Sequence, residues 1–130
     1  MDTRRKILTP AQAVETLRGL EKRGATVKLA VGFFDPLLAG HVRRLEGLRE
    51  GSARLMVAVA DPPRPLLAAR ARAELVAALA MVDYVVLPDE RRVEDLLYRL
   101  EAAIVVRGEA ADEELTEDLI RHVHARQRAG

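Results

Sequence analysis

This 130-residue sequence has no cysteine and only three histidines, which excludes a thiolate nucleophile, a thiolate zinc site and a disulfide framework. His122 and His124 stand two apart in what reads as a helix. Metal-binding pairs on helices stand three or four apart, so these two read as part of a solvated face. His41 differs. It closes the stretch Gly32-Phe33-Phe34-Asp35-Pro36-Leu37-Leu38-Ala39-Gly40-His41, which carries an apolar strand through a turn into the first turn of a helix. Free backbone N–H groups and the helix dipole converge there on an anion. The chemistry to expect is phosphate binding, by Gly32, Phe33, Phe34, Gly40 and His41. Asp35 has two readings, approach to a metal or local acceptance of N–H bonds within the turn. For His41 the two are a phosphate contact and a helix-capping or packing residue. Arg64, Arg72 and Arg107 lie near carboxyl ends of strands or the helices that follow, where each could meet a phosphate. Arg64 reads as solvated surface.

The elements that must hold these residues follow from periodicity. Thr9 and Pro10 start a helix with Ala13, Val14, Leu17 and Leu20 on one face, stopped at Gly24. Val27 to Phe33 is a near-continuous apolar run, as suits a central parallel strand covered on both faces. A helix from Ala39 to Glu50 follows, then the strand Arg54 to Ala60 and a stiff loop, Asp61-Pro62-Pro63-Arg64-Pro65. The third helix is expected over Leu66 to Met81 with Arg70, Arg72 and Glu74 outward. Tyr84 to Leu87 and Ala103 to Val106 are further strands, with an amphipathic helix on Val93, Leu96, Leu97 and Leu100 between them. The tail from Ala110 is a helix with acidic residues early and arginines late. Alternation of strand and helix predicts a parallel sheet with right-handed crossovers.

Composition narrows the partners. Charges nearly cancel at +1, and two Phe, two Tyr and no Trp leave few stacking platforms, so nucleic acid is not an expected partner. No apolar run approaches the roughly 20 residues of a membrane span, and Thr9, Pro10 and Gln12 interrupt any signal core behind the basic start. The expectation is one domain over residues 1–130, cytoplasmic, with no membrane partner.

Four blocks carry a resemblance. They are Gly32 to Leu45, Arg54-Leu55-Met56-Val57-Ala58-Val59, Arg72 to Val86, and Val105-Val106-Arg107-Gly108. In this order and spacing the chain resembles the cytidylyltransferase-like nucleotidyltransferases, most closely the adenylyltransferase domain of bacterial ADP-heptose synthase. Glycerol-3-phosphate cytidylyltransferase is a more distant relative. The resemblance runs from residue 6 to 108 and leaves a divergent carboxyl-terminal helix over 110–128.

The resemblance implies a three-layer α/β Rossmann-like fold, a phosphate-binding His-x-Gly-His turn, and attack of a sugar or polyol phosphate on a nucleoside triphosphate with magnesium. Three departures stand out. The motif reads Leu38-Ala39-Gly40-His41, with leucine for the first histidine; a Ser/Thr-rich phosphate motif is missing after Gly108; and Ala60-Asp61-Pro62 replaces a more polar loop. Arg72 matches its family position best. Counting strands from Val27, the expectation is a four-stranded sheet in the order 3-2-1-4, with the family's fifth strand missing. An edge left bare in that way would be covered by the last helix or by a second copy, and a homodimer is expected. The functional expectation is a degenerate domain binding ATP, CTP or a phosphorylated small molecule with weak or no catalysis. The alternative is an active enzyme transferring AMP or CMP, with Mg2+ as cofactor if active.

Overall fold

The computed structural model describes residues 2–51 and 53–129. Ten elements alternate along them. They are β1 (Ile7–Leu8), α1 (Pro10–Lys22), β2 (Val27–Gly32), α2 (Ala39–Leu48), β3 (Arg54–Val59), α3 (Ala69–Ala77), β4 (Tyr84–Val86), α4 (Val93–Leu100), β5 (Ile104–Arg107) and α5 (Glu109–Ala129). All strand pairs are parallel, in the order β1-β4-β3-β2-β5.

The sheet therefore has five strands, not the four expected. The relative order of the four anticipated strands holds, and the additional strand lies at the opposite edge from the one expected to be bare. Ile7 pairs with Val85 and Leu8 with Val86. Two residues cannot display an alternating pattern, and Thr9 and Pro10 end the run at once; only pairing makes this segment a strand.

Alternate residues of β2 and β3 feed opposite faces, as the pleat requires. Leu29, Val31, Met56 and Ala58 face α1 and α4, where Leu17, Leu20, Leu96 and Leu100 complete one core layer. Ala30, Leu55, Val57 and Val59 face the other way, against Leu45, Ala73, Val76 and Ala77 of α2 and α3. This double covering explains why β3 from Leu55 to Val59 is buried throughout.

Helix starts follow local chemistry. α1 begins in a capping box in which Thr9 Oγ1 accepts from Gln12 N–H and the Gln12 side chain accepts from Thr9 N–H. α3 begins at Ala69, later than expected, because the amides of Leu66 and Leu67 donate to Asp35 instead.

Candidate functional site

The chain runs from β2 through β3 and β4 on one side, then returns to place β5 on the other side of β2. The switch point of the sheet thus lies between β2 and β5, and their carboxyl ends open a crevice there. Phe33 follows β2 and Gly108 follows β5; Gly108 N–H donates to Val31 C=O at 2.8 Å. The turn Phe34-Asp35-Pro36 holds Phe34 at φ 50° and a cis Asp35–Pro36 bond. Phe34 is buried against the His41 ring, with centroids 5.4 Å apart.

His41 is fully buried in the first turn of α2. Its Nδ1 accepts from Leu38 N–H at 2.9 Å. Nδ1 is then the unprotonated nitrogen of the ring and Nε2 bears the proton. Nε2 lies 3.1 Å from Asp112 Oδ1, of α5. The same carboxylate accepts from Phe33 N–H at 2.7 Å and from the Arg44 guanidinium. Burial pushes the Asp112 carboxyl up, but His41, Arg44 and the Phe33 N–H outweigh it and leave it below the ordinary aspartate value. The Phe33 N–H and the Arg44 guanidinium thus donate to one carboxylate with His41 Nε2 beside it, and the three groups form a cradle around one anion.

Two glycines make the room. A Cβ on Gly32 would run into Asp112 Oδ2 and come within 2.8 Å of the Phe34 ring; one on Gly108 would meet the Arg44 guanidinium at 2.9 Å. Gly40 lies under Leu115 of α5, where a Cβ would stand 3.3 Å from its methyl groups. Beside the cradle is a cleft of about 440 Å³ lined by residues that include Phe33, Asp35, Arg64, Glu113, Thr116 and Glu117. That is within the size range of small-ligand sites.

Other residues singled out from the sequence lie near this crevice but are engaged elsewhere. Asp35 is 3% exposed and accepts from Leu66 and Leu67 N–H at 2.7 and 2.8 Å. It ties the first turn to the proline loop rather than bonding within its own turn. Arg72, expected to point outward, is fully buried. Its guanidinium donates to Leu67, Phe33 and Ala60 carbonyls at 3.1, 3.1 and 2.7 Å and pairs with Asp61. It clamps the ends of β2 and β3 to the loop between β3 and α3. Arg107 pairs at the surface with Glu109 and Glu94, which raise its pKa. Arg64 is exposed, as are His122 and His124.

Sequence reasoning missed Arg44 and Asp112. Arg44 had a legible signal, since it stands three residues after His41 and so shares its helix face. Asp112 had none beyond its place in an acidic first turn. Among the described residues no group of three or more His, Asp or Glu is arranged to hold a metal ion, and both Asp35 oxygens already accept N–H bonds. No ready-made set of three protein ligands for a metal therefore stands at the crevice among the described residues.

The cytidylyltransferase-like family model matches residues 29–129, which takes in the strand, the turn, the cradle and α5. The chain belongs to the cytidylyltransferase-like family. It is similar to proteins named bifunctional protein HldE. That of Acidiphilium cryptum is 36% identical over 113 residues, 80% of this chain and 23% of the relative. That of Syntrophotalea carbinolica is 35% identical over 96 residues, 67% and 20%. That of Nitrobacter hamburgensis is 33% identical over 129 residues, 82% and 26%. The chain spans about a quarter of the length of these relatives. The cradle takes in the turn Leu38-Ala39-Gly40-His41. Gly40 and His41 are present, and Leu38 contributes only its backbone N–H to the ring of His41. No helix among the described residues is long and apolar enough to cross a membrane.

Proposed function

We propose that this chain is a nucleotidyltransferase-type domain that binds a nucleotide or another phosphorylated small molecule, with weak or no catalysis. The observation that carries the reading is the convergence of the Phe33 N–H, Arg44 and His41 on a single carboxylate. Donors that gather around one anion at a strand end and helix start are the equipment for a phosphoryl group. The ligand-contacting set is Gly32, Phe33, Gly40, His41 and Arg44, with Phe34 and Asp35 shaping the turn. Arg72 is framework, and Arg107 stands outside the cradle.

Weak catalysis follows from the same residues. In-line transfer at a nucleoside triphosphate depends on positioning and charge neutralisation. Leu38 offers no side-chain donor where the family motif has a histidine, and loss of one transition-state donor typically costs about 100- to 1,000-fold. A magnesium ion would have to arrive with the ligand's phosphates.

The second reading is an active enzyme that transfers AMP or CMP from ATP or CTP to a sugar or polyol phosphate and releases pyrophosphate. The cleft beside the cradle, large enough for a small ligand, favours it. Calorimetric titration with ATP and CTP in the presence of magnesium, followed by a pyrophosphate-release assay with heptose and glycerol phosphates, separates the two. Binding without turnover is the expected result. Turnover at ordinary enzymatic rates would overturn the first reading, and absence of any nucleotide or phosphate binding would overturn both.

Assembly belongs to the same proposal. α5 bonds to Phe33, Arg44 and Asp35 across the strand ends, while among the described residues β5 pairs with β2 alone and leaves Ile104 38% and Val105 40% exposed. A second copy covering this edge makes a homodimer; a monomer at micromolar concentration in sedimentation would exclude it.

A further inference from the structure

We propose that Asp112 is a tethered competitor for the cradle, and that a phosphate-bearing ligand binds by displacing the first turns of α5. The inference rests on the reading of the cradle as a phosphate site.

The partners of Asp112 are those a phosphate oxygen would take. Its carboxylate is 1% exposed and accepts from the Phe33 N–H and Arg44, with His41 Nε2 3.1 Å away. A buried carboxylate needs such compensation, and an anion that replaced it would inherit all of it. The hollow over Gly32 has no space for both. A Cβ there would already collide with Asp112 Oδ2, so a tetrahedral phosphate cannot share the cradle with the carboxylate. Glu113 and Glu117, also on α5, line the adjoining cleft. The docked helix therefore opposes an anionic ligand twice, by occupying the donors and by presenting like charge at the entrance.

α5 is also built to let go. Beyond Asp112, its contacts over the site include Leu115 against Gly40 and Thr116 Oγ1 donating to Asp35 C=O at 3.0 Å. From Arg121 to Gln127 every residue is exposed. Leu115 and Leu119 are only half-buried and Ile120 is 40% exposed, so little buried apolar surface opposes release of the helix. Competition by a tethered group lowers apparent affinity by the fraction of molecules in which the site is open, and removal of the competitor restores it.

The test compares wild type and Asp112→Asn in calorimetric titrations with inorganic phosphate, pyrophosphate, ATP and CTP. Arg44→Gln is added on the Asp112→Asn background. Asp112→Asn is expected to bind pyrophosphate and nucleotide at least about tenfold more tightly than wild type, and Arg44→Gln to abolish the gain. Inorganic phosphate and pyrophosphate show whether the cradle alone suffices, whereas a gain confined to ATP or CTP assigns it to the adjoining cleft as well. Equal affinity in wild type and Asp112→Asn overturns the competitor role and leaves the phosphate reading standing. No binding by any variant overturns the phosphate reading itself. Should Asp112→Asn fail to fold, hydrogen exchange of wild type at saturating pyrophosphate decides. Faster exchange over residues 110–117 with protection at Phe33 supports displacement, and unchanged exchange over 110–117 overturns it.

Discussion

Nε2 of His41, on α2, lies 3.1 Å from Oδ1 of Asp112, on α5, and neither side chain has any exposed surface. This contact joins the first turn of α2 to the last helix of the chain.

The contact makes α5 sensitive to acid. The Asp112 carboxyl titrates below its ordinary value of 3.8 in the folded chain. A depressed folded-state pKa contributes stability that is fully present above the unfolded value and is lost as pH falls through the folded one. The difference in urea stability between wild type and Asp112→Asn is therefore expected to be constant from about pH 6 to 7 and to shrink below about pH 4. A difference that grows on acidification would contradict the assignment.

Arg72 is expected to behave as framework. Arg72→Met leaves the Phe33, Ala60 and Leu67 carbonyls and Asp61 without its donors, and removing one partner of a buried ion pair costs about 3–5 kcal/mol. Arg72→Lys recovers little, because an ammonium cannot reproduce the planar fork. Urea unfolding measures both. A variant of unchanged stability that loses only nucleotide affinity would return Arg72 to the ligand set.

Asp35→Asn tests the tie between the turn and the proline loop. One of the Leu66 and Leu67 amides then faces an amide nitrogen, and an unsatisfied buried donor costs about 1–3 kcal/mol. Faster hydrogen exchange is expected first at Leu66 and Leu67. If Asp35 instead served a metal, the variant's stability would be unaltered while magnesium-dependent binding fell.

Leu38→His restores the motif's missing side chain and keeps the Leu38 N–H that orients His41. Nucleotide affinity is expected to rise. The rise should be larger in the Asp112→Asn background, because in wild type the new histidine gains an anion only after the carboxylate has left. A double-mutant cycle reads this coupling. Additive effects would mean that the two positions do not serve one site.

The sequence by itself determined the alternation of elements and the place of the turn between β2 and α2, while the relative order of four strands came only with the family resemblance. The elements and the turn are local matters: the apolar run from Val27, the Thr9-Pro10 helix start and the Gly40-His41 turn can each be read within about ten residues. Ile7 and Leu8 escaped notice because a two-residue strand exists only through its pairing with Val85 and Val86. The roles of charged residues were decided by tertiary structure alone. Arg72 looked like surface because a charged residue is rarely buried without partners, and its partners come from β2, β3 and a loop that only folding assembles. Asp112 looked like an ordinary acidic first turn. What made it a ligand was the approach of α5 to the end of β2, where Gly32 leaves space for a carboxylate and His41, Arg44 and the Phe33 N–H compensate its burial. Patterning in a chain determines which surfaces are apolar; which charges meet depends on contacts across long sequence separations, and those exist only in the folded molecule.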